Sequence, residues 1–203
     1  AYSGFIPTIC PSSAYVLTGL DSYGSGANPS REHYGFDVST GEWTHKASVY
    51  VGPFEERKNA VSFSASGWGF AGLGEGWNGV RRRDFLTYNP ATNIWQQGVE
   101  FPGSGSIGGF ATGIGDKGYV GMLTDAIDYH DFWEFDAITK TWRQLPHFPG
   151  EKRSYLAGFT IGGLSLTKEH LLYAIPDTLI CGEQTIRIYK PSIYWGPMNR
   201  ITQ

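Results

Sequence analysis

Very little in this chain offers metal or redox chemistry. It has two cysteines, Cys10 and Cys181, and five histidines in 203 residues. Two cysteines are too few for a disulfide framework. No His-x-x-x-His or Cys-x-x-Cys spacing occurs, which argues against structural zinc. No run reaches the roughly 18 uncharged apolar residues of a membrane span. The net charge of −3 makes no demand for nucleic acid or an anionic membrane. Gly-x-Ser-x-Gly is missing, and no His stands beside a Ser or Cys with an orienting acid, so nucleophilic catalysis has no local signature. A triad assembled in space stays open, because triads are defined by geometry. The glycine-rich run from Gly103 to Gly109 is followed by no helix, so it reads as a connection and not as a phosphate cradle. The chain starts without Met and without a charged-then-apolar leader, and reads as processed or trimmed, with a removed export signal left open.

What is present is aromatic and glycine-rich. Aromatics make up 15% of the residues and there are 28 glycines and 11 prolines, which suits many tight turns and few helices. Three segments repeat: Tyr34–Trp43, Leu86–Trp95 and Trp133–Trp142. Each reads apolar, skip one, aromatic, Asp or Asn, Thr, then Trp. Trp43 to Trp95 is 52 positions and Trp95 to Trp142 is 47. A period near 50 signals repeated supersecondary units, none able to bury its apolar face alone.

The pairs Tyr34/Phe36, Leu86/Tyr88 and Trp133/Phe135 alternate as a third strand does, and the Trp opens a fourth. Between them, Asp37, Asn89 and Asp136 are placed to cap their own turns. Gly41 and Asn93, two residues before the Trp, suit a left-handed backbone, and Lys140 departs from that preference. Upstream come two inner strands. The first carries Phe5, Phe63, Phe110 and Phe159; the second reads Trp68–Gly72, Gly118–Gly121 and Tyr15–Gly19, with glycines that let backbones crowd. A fourth copy is degraded: Trp195 lies 53 after Trp142, Ile186 and Ile188 take the aromatic positions, and 164–170 reads as an insertion before a second strand near Leu171–Ala174. The units fall at about 1–50, 51–100, 101–150 and 151–203, one domain over 1–203. The expected fold is all-β, a β-propeller of four four-stranded blades, a design that hides strand edges.

Gly118-Tyr-Val-Gly121, Asp131-Phe-Trp-Glu-Phe-Asp136, Thr139 and Trp142, followed by Phe148-Pro149-Gly150 and Arg153, resemble the Kelch repeat, in the form found in exported bacterial Kelch proteins. The resemblance covers three units well and the fourth loosely. It implies a propeller and a location in the periplasm or at the cell surface. The chain departs from the pattern where Gly72 and Gly121 lack a second Gly, and where 101–106 lacks the Arg seen at Arg57 and Arg153. Kelch propellers mostly have six or seven blades. Four units therefore mean a closed four-bladed ring or part of a larger one. The chain starts on an inner strand and ends on an outer one, leaving none to swap between first and last blades, which leans toward an incomplete ring or one completed by another chain.

In repeat folds the function lies in loops that differ between copies. The second-to-third strand loops are expected near 20–32, 73–84, 122–131 and 175–185. In 73–84, Trp77 beside Arg81, Arg82 and Arg83 suits a sugar or an acidic partner, since aromatic faces stack on sugars and Arg forks carboxylates; a solvated charge run is the plainer reading. In 122–131, Asp125, Asp128, Tyr129 and His130 form a second candidate. Oxygen ligands of this kind suit Ca²⁺, but Asp131 recurs as Asp84 and Glu32 and reads as a repeat-borne turn hydrogen bond, so no metal or other cofactor is assigned. Cys10, in a first-to-second strand loop, and Cys181, in a second-to-third strand loop, belong to opposite ends and read as free thiols, because a disulfide needs Cα atoms within about 7 Å.

The expected function is a non-catalytic binding or scaffold module that presents variable loops to a protein or glycan, including as a subunit of a surface assembly. No nucleic acid and no membrane span are expected. The alternative is a carbohydrate-active enzyme of the sugar mutarotase kind that the resemblance allows, drawing on Arg57, Arg153, Glu32 or Asp131. The copper oxidases of that family need a Tyr–Cys cross-link and His ligands, for which Cys10 and Cys181 are poorly placed.

Overall fold

The computed structural model describes residues 3–5, 13–21, 28–51, 56–123 and 131–149, with four short strands beyond them as backbone. No helix occurs among these residues, and none is long and apolar enough to cross a membrane. Twelve strands form three antiparallel four-stranded sheets in simple sequential order. Sheet 1 holds β1 (Ser3–Phe5), β2 (Ser13–Leu20), β3 (Pro29–Asp37) and β4 (Glu42–His45). Sheet 2 holds β5 (Val61–Ala65), β6 (Trp68–Gly72), β7 (Phe85–Asn89) and β8 (Ile94–Gln97). Sheet 3 holds β9 (Phe110–Ile114), β10 (Lys117–Gly121), β11 (Phe132–Asp136) and β12 (Thr141–Gln144).

The repeat is reproduced in the register. Trp43 pairs with Phe36, Trp95 with Tyr88 and Trp142 with Phe135, each at the same place in its sheet. The turns between these strands are capped as expected. Asp37 Oδ1 accepts from the Ser39 and Thr40 amides, Asn89 Oδ1 from Ala91, and Asp136 Oδ1 from Ile138 and Thr139. Lys117 and these amides hold the Asp136 carboxyl down to about 2. Gly41, Asn93 and Lys140 all take left-handed backbone, at φ 74°, 56° and 57°. The geometry thus survives where the preferred residue does not. Leu73 and Met122, following Gly72 and Gly121, are likewise left-handed, at φ 57° and 54°.

The first strands of the three sheets, β1, β5 and β9, lie side by side, β5 between the other two. Small residues allow it: a Cβ at Gly113 would run into the Ser64 carbonyl oxygen, and one at Gly118 into the Phe63 ring. Between sheets 1 and 2, Tyr15, Leu17, Leu86, Tyr88 and Trp95 form one core; between sheets 2 and 3, Phe63, Phe70, Phe85, Phe101, Val120 and Phe135 form another. Trp95 Nε1 donates to Ala47 O at 3.1 Å, and Trp142 Nε1 to Val99 O at 3.5 Å. Trp95 and Trp142 therefore each dock on the sheet before their own.

The fourth copy differs from expectation. β13 (Gly158–Ile161), next to β9, pairs with β14 (Leu164–Thr167), and β15 (Thr178–Cys181) pairs with β16 (Gln184–Arg187). Residues 164–167 are thus a strand and not an insertion, and Cys181 ends a strand instead of lying in a loop. Two-residue gaps favour tight hairpins over the degraded aromatic spacing. Cys10, Leu171–Ala174 and Trp195 lie outside the described residues.

His33 is sealed in the first core, with its ring 4.6 Å edge-on from Tyr88 and Nδ1 3.2 Å from Ala47 O. Burial lowers its pKa from 6.5 to about 4; the Ala47 carbonyl opposes this, and the Lys46 and His45 charges add to it. Burial also raises Tyr88 to about 12. Between pH 6.5 and 4 the unfolded chain binds the proton that native His33 refuses. Stability from this residue is complete above pH 6.5 and falls on acidification through that window, by on the order of 3 kcal/mol. Urea midpoints at pH 7.5, 5.5 and 4.5 are expected to drop more steeply for the native chain than for His33→Phe; equal slopes would remove the assignment. Lys140→Gly, which relieves left-handed strain at an exposed site, is expected to stabilise by about 0.5–1 kcal/mol in the same assay.

Candidate functional site

The β6–β7 loop and the connections between sheets meet at one end of the molecule. Lys58 and Glu75 exchange backbone hydrogen bonds at 3.1 and 3.0 Å, and their side chains pair at 3.1 Å. Gly74 N donates to Ser106 O at 2.8 Å, which joins the loop to the connection after sheet 2. Arg82 N donates to Gly74 O at 2.9 Å and Gly76 N to Val80 O at 3.2 Å, so residues 74–82 fold as a small hairpin. Asn78 Oδ1 accepts from Val80 N, and Gly79 is left-handed, closing the tip.

A buried ion pair anchors this hairpin. Arg57, 1% exposed, reaches across from the sheet 1 connection. Its guanidinium donates to both Asp84 carboxylate oxygens at 3.0 and 2.9 Å and to Leu73 O at 2.9 Å. A bidentate fork of this kind fixes direction as well as distance. Both ends of the 73–84 loop are thereby tied to a group that cannot turn.

The three repeat acids have three uses. Asp131 behaves as the expected turn acceptor, taking Leu123 N and Trp133 Nε1, both at 3.2 Å. Asp84 is taken by Arg57 instead. Glu32 sits on the exposed surface of β3 and meets His45 Nε2 at 2.6 Å.

Of the candidates read from the sequence, Trp77 is placed at the hairpin tip, 69% exposed. Arg81 and Arg82 lie on the returning strand of the hairpin, Arg81 bridged to Glu75 through the backbone. Arg83, the next residue, pairs with Glu100 at 3.0 Å. Asp125, Asp128, Tyr129 and His130 lie outside the described residues. Among the described residues no three His, Cys, Asp or Glu side chains gather as metal ligands would.

Sequence reading missed Tyr50. It is 58% exposed, with the Arg31 guanidinium 5.3 Å from its ring centre, and Arg31 also pairs with Glu56 at 3.0 Å. The signal was available. Val49 and Phe101 are both fully buried at matching positions, so Tyr50 stands where Pro102 stands in the next copy.

The described residues define an all-β protein of repeated antiparallel four-stranded sheets. No family model matches the chain, and no curated protein matches its sequence. Among solved structures, one described as "Structure of YjhT" resembles it with a TM-score of 0.59 at 15% identity, over 78% of this chain and 55% of that one. The chain thus spans about half the length of that structure, and the likeness is one of fold.

Removing one partner of the buried pair leaves the other uncompensated. Arg57→Met is expected to cost about 3 kcal/mol. It is also expected to speed amide exchange in 73–84 more than in β9–β12, measured by hydrogen exchange with mass spectrometry. Uniform acceleration would mean that the pair supports the whole fold and not this loop.

Proposed function

We propose that the three sheets are blades of a Kelch-type β-propeller and that the protein is a non-catalytic binding module. It works outside the cytoplasm and takes a protein or glycan partner on the loop end, with the Trp77 hairpin as contact. The observation that carries this reading is a 69% exposed Trp at the tip of a hairpin anchored by a buried Arg–carboxylate fork. Holding a large aromatic ring in water on a rigid support is unfavourable for folding alone. It is favourable for binding, because little motion is left to lose when a partner covers the ring.

The ring arrangement is supported by the neighbouring inner strands and by the likeness to the YjhT structure. The mutarotase alternative would draw on Arg57, Glu32, Asp131 or Arg153. Two of these, Arg57 and Asp131, hold backbone and indole groups in place, which favours binding over catalysis.

The test is a glycan array probed with the labelled chain, beside a cross-linking screen on intact cells. Trp77→Ala is expected to lose at least tenfold in binding with an unchanged melting curve. Equal binding by native and variant chains would sink the assignment of Trp77. Accelerated interconversion of sugar anomers, followed by NMR, would sink the non-catalytic reading.

A further inference from the structure

Asn78 and Gly79 form the single Asn-Gly pair of the chain, and they stand at the tip of the Trp77 hairpin. An Asn side chain is open to attack by the nitrogen of the next peptide, and the residue after it decides whether the approach is clear. Asn28 and Asn89 precede Pro, which has no N–H to give up. Asn59, Asn93 and Asn199 precede Ala, Ile and Arg, whose side chains crowd the path. Gly79 offers an N–H and no side chain. Both residues of the pair are exposed, and a Cβ at Gly79 would meet nothing within 4 Å, so water and base reach the tip. Val80 N donates to Asn78 Oδ1 at 3.1 Å, which holds the side-chain amide across the Gly79 peptide. That donor is aimed at the oxygen on which negative charge develops during attack at Cγ. One bond opposes the step: Gly79 N donates to Gly76 O at 3.1 Å and must let go. At an exposed tip such local opening costs little.

We propose that Asn78 is a site of spontaneous deamidation that ages the hairpin. Gly79 N loses its proton to hydroxide and attacks Asn78 Cγ. The Cγ–Nδ2 bond breaks, ammonia leaves with a proton taken from water, and a cyclic imide remains. Water then opens the imide at either carbonyl. Opening at Cγ restores the ordinary peptide, with aspartate in place of Asn78. Opening at the main-chain carbonyl gives isoaspartate, with the chain running through Cγ. The balance is one water consumed and one ammonia released, with no change of oxidation state. Both products place a carboxylate beside Trp77. Isoaspartate also adds a carbon to the main chain between Gly76 and Val80, whose N–H···O bond of 3.2 Å closes the hairpin. The tip then loses its register, and Trp77 loses its rigid support. The consequence for a partner rests on reading Trp77 as the contact; the chemistry does not.

The experiment ages the 203-residue chain in water enriched in heavy oxygen, at neutral and at alkaline pH. Peptide mapping by mass spectrometry follows each asparagine, and hydrogen exchange follows 74–82. The expected result is a labelled carboxylate at position 78, gained at least tenfold faster than at any other asparagine, faster still at the higher pH, and with isoaspartate among the products. Exchange in 74–82 is expected to rise with the converted fraction while β9–β12 stay unchanged. Asn78→Gln, whose longer side chain closes the ring poorly, is expected to keep both its amide and its exchange pattern over the same period. Conversion no faster than at Asn59 or Asn93 would overturn the site. Conversion in urea with none in the native chain would overturn it too, since the Gly76 bond would then lock the tip. Conversion with unchanged exchange in 74–82 would overturn the effect on the hairpin. None of these readouts uses a partner, so their failure leaves the Trp77 contact standing, and failure of that contact leaves the chemistry standing.

Discussion

Each sheet of this protein depends on a neighbour, because the outer-strand Trp cannot be buried by its own four strands. Trp95 and Trp142 dock on the sheet before them and donate their indole N–H to its outgoing chain. An indole needs apolar cover for its rings and an acceptor for its nitrogen. The previous sheet supplies both at one place. That requirement sets the spacing between sheets, brings their inner strands together and demands small residues where backbones cross, as at Gly113.

Where the chain departs from its own repeat, the departures are organised. Arg57 joins sheet 1 to sheet 2 through Asp84 and Leu73 O, and the loop it anchors is the one that carries the exposed Trp77. At the matching position of sheet 3, Asp131 accepts from Leu123 N and Trp133 Nε1. His33 shows the same economy inside the core: a polar ring tolerated among Tyr15, Tyr88 and Trp95 because it stays neutral and meets the Ala47 carbonyl.

Much of the fold was legible from residue spacing. The strand order, the Trp register, the Asx-capped turns and the inner glycines all follow from short-range rules, since a strand pair joined by a tight turn is specified by a dozen neighbouring residues. Lys140 shows where such rules end: the turn imposes left-handed backbone on a residue that does not favour it. The fourth copy shows it again. The aromatic spacing there is weak, and placing 164–170 by analogy missed the hairpin that the described strands form. Of the site, Trp77 was legible as an aromatic in a variable loop. The pairing of Arg83 with Glu100 was not legible, because three adjacent arginines carry no sign of which partner each meets.

From the sequence alone came a repeated all-β chain with a period near 50, its capping acids and its variable loops, because periodicity and turn chemistry are local properties. Only the tertiary structure decided that Arg57 clamps Asp84, that Arg83 pairs with Glu100, and that Trp43 is 58% exposed while Trp95 is buried. Those outcomes depend on which surface meets which across dozens of residues, and identical local patterns acquire different partners according to their place in the row.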